Sequence, residues 1–388
     1  MMITRVEVDN FKSLVGFSLE LAPLSCLIGL NGSGKSTVLQ FFDFLSQQIS
    51  GKVSEWLQRR NWSAADLNSR LSSKSNILFT VRLQAGTDAR VEWQAGFNRK
   101  ELRCTREKIT WNDQVLLKVW EGQYFCAEPG ERRDGQPVTG QPIAFTYEGS
   151  ILPHLKEDLL AQELLEFKRF FLESRTLELL SPELLRQRTR SAHGTLGMGG
   201  ERLSAFLHEL GPRAQQGLTA QLHKVYPCLE QIEVKSLRSG WKQLHITERY
   251  ADRRLPTEAR HINDGLLRLL AIFSQLTDAQ GILLLDELEN GMNPELVEYL
   301  LDALAASDRQ VVVTTHSPLI LNFLDDHIAK QGVVYLYKTA KGHTKAIRFF
   351  DIPSMAEKLT VMGPGEAYED TSLTLLRDEI EGLAAAGS

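Results

Sequence analysis

Hydrophobic spacing divides the chain into three stretches of different rhythm. The first thirty residues alternate with period two. Ile3-Thr4-Arg5-Val6-Glu7-Val8 and Phe17 to Leu21 read as half-buried strands, and the apolar run Leu24 to Ile28 as a buried one. A glycine-rich turn follows, and Ser36 to Phe42 reads as a helix. From about Ile77 to Tyr147 come short β-like runs (ILFTVRLQ, RVEWQAGF, KITWN, VLLKVW, QYFCA, PIAFTY). Turn residues such as Ala85-Gly86-Thr87-Asp88 and Asp134-Gly135 separate them, which predicts an antiparallel meander. Between Ile151 and Leu180 apolar residues return at helical spacing (Leu155, Leu159, Leu160, Leu164, Phe167, Phe171), predicting one or two helices. Ser191 to Gly200 is a glycine-rich loop, Ser204 to Tyr226 a further helix, and Ile232 to Thr247 a hairpin turning at Arg238-Ser239-Gly240.

After about Leu255 strands and helices alternate. Asn263 to Thr277 reads as a helix, Gly281 to Leu285 as an apolar strand, and Pro294 to Ala306 as a helix. Gln310 to Thr314 and Val333 to Tyr337 are two more buried strands. The fold class expected is therefore α/β, with a nucleotide-binding core split in sequence. Residues 1–50 and 256–350 supply its halves, 51–255 form an inserted β-meander and helical lobe, and 351–388 form a tail.

Composition narrows the class. With 388 residues, 43% hydrophobic and 24% charged, the chain is long enough for two lobes and sits near the globular average. No apolar run approaches the roughly 18–20 residues that span a bilayer, and the N-terminus carries no secretory pattern, so a cytoplasmic protein with no membrane partner is expected. Cys26, Cys104, Cys126 and Cys228 lie far apart, which excludes a zinc ribbon and a dense disulfide framework. A net charge of −5 argues against a protein that coats nucleic acid, and leaves any such contact to a local patch.

Four segments carry chemistry. Gly29-Leu30-Asn31-Gly32-Ser33-Gly34-Lys35-Ser36 matches G-x-x-x-x-G-K-[ST], between a strand and a helix as a phosphate loop requires. Its glycines let backbone N–H groups face phosphate oxygens, Lys35 neutralises β/γ-phosphate charge, and the Ser36 hydroxyl ligates Mg²⁺. Ile282 to Leu285 is an apolar strand ending in Asp286-Glu287, one carboxylate placed to hold Mg²⁺ and the next to polarise an attacking water. Val311 to Thr314 ends in Thr315-His316-Ser317-Pro318, with His316 just past the strand where ligands gather in open α/β sheets. Asn263-Asp264-Gly265 opens a helix, either as a simple N-cap or as a second phosphate-facing helix end that serves another subunit.

In this order the four segments resemble the ABC-type ATPase fold, and within it the RecF/SMC-like and OLD-like ATPases encoded in defence and repair operons. Val8-Asp9-Asn10-Phe11-Lys12-Ser13-Leu14 is similar to their first strand and turn, and Leu30 to Ser36 to their Walker A. Asn263-Asp264-Gly265-Leu266-Leu267-Arg268 is similar to the signature, Asp286-Glu287-Leu288-Glu289-Asn290-Gly291 to Walker B and the D-loop, and Thr314 to Pro318 to the switch histidine. The resemblance implies a head-to-tail homodimer with ATP between Walker A of one subunit and the signature of the other. Lys12, Asn31, Gly32, Ser33, Gly34, Lys35, Ser36 and Thr37 would bind nucleotide. Asn263, Asp264 and Gly265 would act in trans, and Ser36 and Asp286 would serve the metal. Glu287 would be the general base, with His316 as γ-phosphate sensor and Lys35 as the third catalytic group. Asn263 stands where the signature opens with Ser, Leu288 where Pro is usual, and Met292-Asn293 where a Leu-His pair is usual. Gln84, Gln123 and Gln141 are the candidates for a Q-loop glutamine.

OLD-type enzymes carry a nuclease after the ATPase. Only 38 residues follow Phe350 here, fewer than the roughly 50 of a small domain, so no nuclease is expected within this chain. The functional expectation is an Mg-dependent ATPase whose dimer gates a separately encoded effector, a nuclease or toxin, in antiphage defence or DNA surveillance. A repair ATPase that clamps DNA directly and a non-hydrolysing nucleotide scaffold are the alternatives. Basic clusters at Arg99-Lys100-Arg103-Arg106-Lys108, Arg186-Arg188-Arg190 and Arg253-Arg254 are either solvated faces or a nucleic-acid surface. The acidic-then-helical tail is either a docking element or a solvated terminal helix.

Overall fold

The computed structural model describes residues 1–128, 139–177, 180–276 and 280–386. The turn expected at Asp134-Gly135 and the end expected at Thr277 lie outside these described residues. Three sheets organise the chain.

The core sheet has six strands in the order Arg175–Leu177, Leu283–Leu285, Val311–Thr314, Leu24–Ile28, Val333–Lys338 and Thr344–Arg348. The first five run parallel and the last is antiparallel at the edge. Apolar runs such as Leu-Leu-Leu and Val-Val-Val suit strands covered on both faces. Leu24–Ile28 sits in the middle, with Cys26 in register with Val313 on one side and Val333 on the other. Five of the sheet's strands come from residues 1–50 and 256–350, and the sixth, Arg175–Leu177, comes from within residues 51–255.

The second sheet is antiparallel, with eight strands in the order Phe17–Glu20, Met2–Asp9, Asn76–Ala85, Ala89–Asn98, Arg103–Trp111, Gln114–Trp120, Gln123–Cys126 and Gln141–Pro142. This corrects the boundary drawn at residue 50. The two N-terminal strands grouped with the core pair instead with the meander, Val8 opposite Phe79 and Phe17 opposite Val8. The last expected run, PIAFTY, is strand only at Pro142, and Phe145 is exposed.

Helix Lys35–Ser50 lies between the two sheets. It buries Val38, Leu39, Phe41, Phe42, Phe44, Leu45 and Ile49, and ends at Gly51 in the left-handed region (φ 67°) that glycine adopts without strain. Phe44 packs edge-on against Phe97, and Phe41 against Phe79. Trp93 stands between Phe79 and helix Gln162–Leu172, touching Phe167 and Phe171. Truncating a buried aromatic in such a cluster costs about 3–5 kcal/mol. The cluster is what fixes the helix that carries Lys35 at its N-terminus.

The segment Ile151–Leu180, expected as helices alone, also holds edge strand Arg175–Leu177, too short for its spacing to declare it. Helix Leu203–His223 breaks at Gly211 (φ 83°, ψ 174°) and restarts at Pro212. It packs on the third sheet, strands Leu229–Ser236, Lys242–Tyr250 and Arg253–Glu258, which contains the expected hairpin and one strand more.

The tail is not a solvated appendage. Helices Pro353–Lys358, Pro364–Glu369 and Leu373–Ala386 bury Met355, Ala367, Leu376 and Ile380 in the larger core. Asn322 Oδ1 accepts the Gly365 amide at 2.8 Å, fastening the tail to the helix that follows His316. Among the described residues no helix is long and apolar enough to cross a membrane.

Candidate functional site

The turn after strand Leu24–Ile28 is built by backbone conformations that side chains disfavour. Gly29, Gly32 and Gly34 take φ of 138°, 77° and 114°. A Cβ on Gly34 would stand 2.4 Å from the Thr344 hydroxyl, so the loop is pressed against the edge hairpin of the core sheet. Thr344 Oγ1 donates to the Ser33 carbonyl at 2.9 Å, receives Lys338 Nζ at 2.9 Å, and shares a hydrogen bond with Ser13 Oγ at 2.8 Å. One hydroxyl thus joins the loop, the first turn of the chain and the final hairpin.

Lys35, 5% exposed, donates to the carbonyls of Gly29 at 2.7 Å and Leu30 at 3.2 Å. Burial pushes its pKa below the usual lysine range, opposed by the charges of Asp286, Glu287 and Glu289. A cleft of about 380 Å³ opens over the loop, lined by Lys12, Ser13, Asn31, Gly32, Gly34, Lys35, Ser36, Thr37, His316 and Lys338. Of the residues expected to bind nucleotide only Ser33 is absent from this lining. It is 3% exposed, and its Oγ is buried without a hydrogen-bond partner. Lys12, in a left-handed turn (φ 47°), bonds Gln40 Oε1 at 2.8 Å, with its ammonium 3.3 Å from the centre of the Trp62 ring.

The acidic pair stands two strands away, with Val311–Thr314 between. Thr314 Oγ1 donates to Asp286 Oδ1 at 2.5 Å and accepts the Glu287 amide at 2.8 Å. Glu287 itself sits in the left-handed region (φ 49°), a conformation that costs a non-glycine residue about 1–3 kcal/mol and clusters at functional sites. His316 Nε2 lies 3.9 Å from Glu287 Oε1, and the two side chains are 38% and 39% exposed. Asn290 Nδ2 reaches Glu287 Oε2 at 3.4 Å, and Glu289 Oε1 accepts the His316 amide at 2.8 Å. Lys35, Asp286, Glu287 and His316, which the sequence places in three separate segments, are therefore gathered at the same edge of the core sheet.

Asn263, Asp264 and Gly265 do not line the cleft. Asn263 Oδ1 caps helix Asp264–Ser274 by accepting the Leu266 amide at 2.8 Å, and also receives Tyr226 Oη at 3.1 Å. Asp264 pairs with Arg186, and Gly265 packs against Leu296. The simple N-cap is thus present within one chain. The Q-loop candidates all fall in the antiparallel sheet. Gln84 spends its amide on the Thr87 carbonyl, while Gln123 and Gln141 lie on its last two strands. None of the three lines the cleft.

Sequence reasoning missed Ser13, Lys338, Thr344 and Glu289 as site residues. Ser13 lies in the quoted first turn without being singled out there, Lys338 and Thr344 belong to no motif, and only the topology brings a C-terminal hairpin under the loop. Glu289 falls inside the quoted acidic motif, yet nothing in its spacing shows that it reaches the histidine segment. Part of each basic cluster is paired with acids: Arg103 with Glu101, Arg186 with Asp264, Arg188 with Glu258 and Arg254 with Glu230.

Comparison with known proteins finds likeness to ATPase families, each over less than half of the chain. The family described as "AAA domain, putative AbiEii toxin, Type IV TA system" matches residues 144–322, and the AAA ATPase domain family matches residues 1–116. The OLD nuclease of Thermus scotoductus is 22% identical over 341 residues, covering 82% of this chain. This chain spans 59% of that relative's length. An SMC head bound to the C-terminal winged-helix domain of ScpA shares the fold with TM-score 0.57 at 13% identity, over 89% of this chain and 97% of that one. An SMC head with an extended coiled coil, bound to the C-terminal domain of ScpA derived from Pyrococcus furiosus, gives 0.51 at 12% identity, over 89% and 96%. The mixed α/β architecture with an antiparallel sheet is that of SMC heads.

Proposed function

We propose that this chain, an ATPase-type protein on an SMC-head scaffold, binds ATP at the Lys35 cleft and hydrolyses it as a head-to-tail homodimer. Closing and opening of that dimer gates a separately encoded effector, a nuclease or toxin, in antiphage defence or DNA surveillance. One observation carries the reading: Thr314 fixes Asp286 and Glu287 beside His316, at the rim of the phosphate-loop cleft.

In this reading the loop amides and Lys35 hold the β- and γ-phosphates, with Lys12 and Asn31 beside them. Ser36 and Asp286 are oxygen donors of the kind Mg²⁺ takes. One Asp286 oxygen is occupied by Thr314, and the other has no protein partner among the described residues. Bound there with the nucleotide, Mg²⁺ would neutralise charge on the phosphate oxygens. No group of three or more His, Cys, Asp or Glu side chains that could hold a metal ion is found among the described residues. Glu287 takes the proton of the attacking water, and the Thr314 bond to its amide holds the strained turn that carries the carboxylate. The His316 imidazole donates to the γ-phosphate and loses that partner on hydrolysis. Asn263 and Gly265 face the γ-phosphate of the second subunit's ATP.

The test is affinity purification of tagged Glu287→Gln protein, expressed with its neighbouring genes, in Mg-ATP. The carboxamide cannot take the proton, so a closed dimer accumulates together with a stoichiometric effector. A monomer with ATP bound would remove the sandwich mechanism. Recovery of nucleic acid without a protein partner would favour direct clamping.

That second reading has its own observation. Lys108 and Lys118 stand directly opposite each other on adjacent strands of the eight-stranded sheet. With Arg106 and Trp120, and with Glu7 and Asp9 on its other wall, they line a trough of about 780 Å³. Opposed like charges are unfavourable unless an anion lies over them. Salt-dependent duplex binding lost in Lys108→Glu/Lys118→Glu would support a clamp.

A further inference from the structure

His316 is the second residue beyond strand Val311–Thr314, where the sheet ladder no longer supplies partners for each amide. The three amides past the strand end are each assigned differently. Thr315 N still reaches the Leu27 carbonyl at 3.2 Å, and Ser317 N turns back to Thr315 Oγ1 at 2.9 Å. Between them, the His316 amide is taken by a side chain from another strand end, Glu289 Oε1 at 2.8 Å. The other Glu289 oxygen is buried with no hydrogen-bond partner. Capping one amide at a strand end does not require a carboxylate. A half-buried carboxylate with one oxygen left unsatisfied carries a desolvation cost that a hydroxyl would avoid. The charge does bring strength and direction, because hydrogen bonds to an ionised acceptor are roughly twice as strong as neutral ones.

Glu289 also belongs to the same tight turn as Glu287. Glu287 is left-handed, its carbonyl accepts the Asn290 amide at 3.0 Å, and Leu288 N bonds the Thr314 carbonyl at 3.1 Å. Thr314 in turn holds the Glu287 amide. The acidic turn and the histidine segment are therefore laced together in both directions. The Thr314 hydroxyl reaches one way and the Glu289 carboxylate reaches the other.

We infer that Glu289 is a positioning residue for His316. It holds the histidine backbone against the acidic turn so that the imidazole stands 3.9 Å from the Glu287 carboxylate. Glu289 touches no reacting atom and acts through His316. The inference rests on the hydrolytic reading above for its kinetic consequence, but not for its structural one.

Two measurements on the full chain test it. In steady-state ATP hydrolysis, Glu289→Ala lowers kcat about tenfold with KM for ATP unchanged within twofold, and Glu289→Gln, which keeps an acceptor oxygen, restores it to within about threefold. Glu289→Ala/His316→Ala turns over no more slowly than His316→Ala, because residues acting as one unit do not add. A further loss in the double variant, or wild-type kcat in Glu289→Ala, overturns the inference. The second measurement needs no turnover: imidazole carbon–proton NMR spectra of histidine-labelled protein, with the His316 signal identified by its absence from His316→Ala. That signal moves in Glu289→Ala and stays in Glu289→Gln. If it is unmoved in Glu289→Ala, the inference is wrong. If wild-type protein shows no turnover while the signal behaves as expected, it is the hydrolytic reading that falls.

Discussion

Thr344 donates its side-chain hydroxyl to the Ser33 carbonyl at 2.9 Å, across 311 residues of sequence. The same oxygen receives Lys338 and shares a bond with Ser13, so a residue of the last core strand sets the floor of the phosphate loop. Thr344→Val keeps the shape but leaves a carbonyl and an ammonium short of a partner. Each such loss costs about 1–3 kcal/mol. The expected outcome is a clear fall in thermal unfolding temperature with roughly tenfold weaker binding of a fluorescent ATP analogue. Unchanged binding would show that the loop holds its form without this support.

Glu287 invites a comparison between two inactive variants. Its φ of 49° is a conformation that glycine adopts freely and alanine does not. Both Glu287→Gly and Glu287→Ala lose the carboxylate, and both should be silent in a phosphate-release assay. In urea unfolding the glycine variant should be the more stable by about 1 kcal/mol, reversing the usual order for these two residues. The usual order would mean that the backbone there relaxes once the side chain is gone.

Glu107 gives a pH dependence. It is buried beneath the meander, and burial pushes its pKa up to about 7 from 4.5, although Trp93 Nε1 (2.9 Å) and the Ile151 amide (3.2 Å) both donate to it. The folded chain thus holds a proton there that the unfolded chain has released. This group's contribution is fully present below about pH 4.5 and is lost as pH rises through about 7. The slope is at most about 1.4 kcal/mol per pH unit. Subtracting the stability profile of Glu107→Gln from that of the wild type should leave a decline between those limits and a plateau above. A flat difference would show that Glu107 is ionised throughout.

Asn263 separates its two roles by substitution. Asn263→Ala removes the cap of helix Asp264–Ser274 and should cost about 1 kcal/mol. Asn263→Ser keeps a capping oxygen and restores the residue expected in an ATPase signature. The serine variant should match wild-type stability and form the ATP-dependent dimer, as judged by light scattering in the Glu287→Gln background. The alanine variant should be both less stable and monomeric. Equal dimerisation in all three would confine Asn263 to capping.

What the sequence reveals follows the physics of each element. Strands covered on both faces are written as unbroken apolar runs, so Leu24–Ile28 and Val311–Thr314 were legible, and the phosphate loop was legible because its glycines are dictated by backbone geometry. Strand partners are another matter. Alternation in Ile3 to Val8 declares a half-buried strand but not that its neighbour is Asn76–Ala85 rather than the core. Arg175–Leu177 is too short for any period to show. Support from Thr344 and Lys338, and the reach of Glu289 to the His316 amide, arise only when distant strand ends converge. The Q-loop candidates failed for the opposite reason. A glutamine has no spacing of its own, and Gln84, Gln123 and Gln141 belong to the far sheet.

The central place of Leu24–Ile28 has a consequence during synthesis. This strand is synthesised well before both of its neighbours, Val311–Thr314 and Val333–Lys338. At about 5–20 residues per second, the wait is on the order of tens of seconds. Throughout that time an apolar five-residue edge is unpaired, and the loop behind it has no floor. Nucleotide therefore cannot assist the growing chain, because its pocket is among the last features to form.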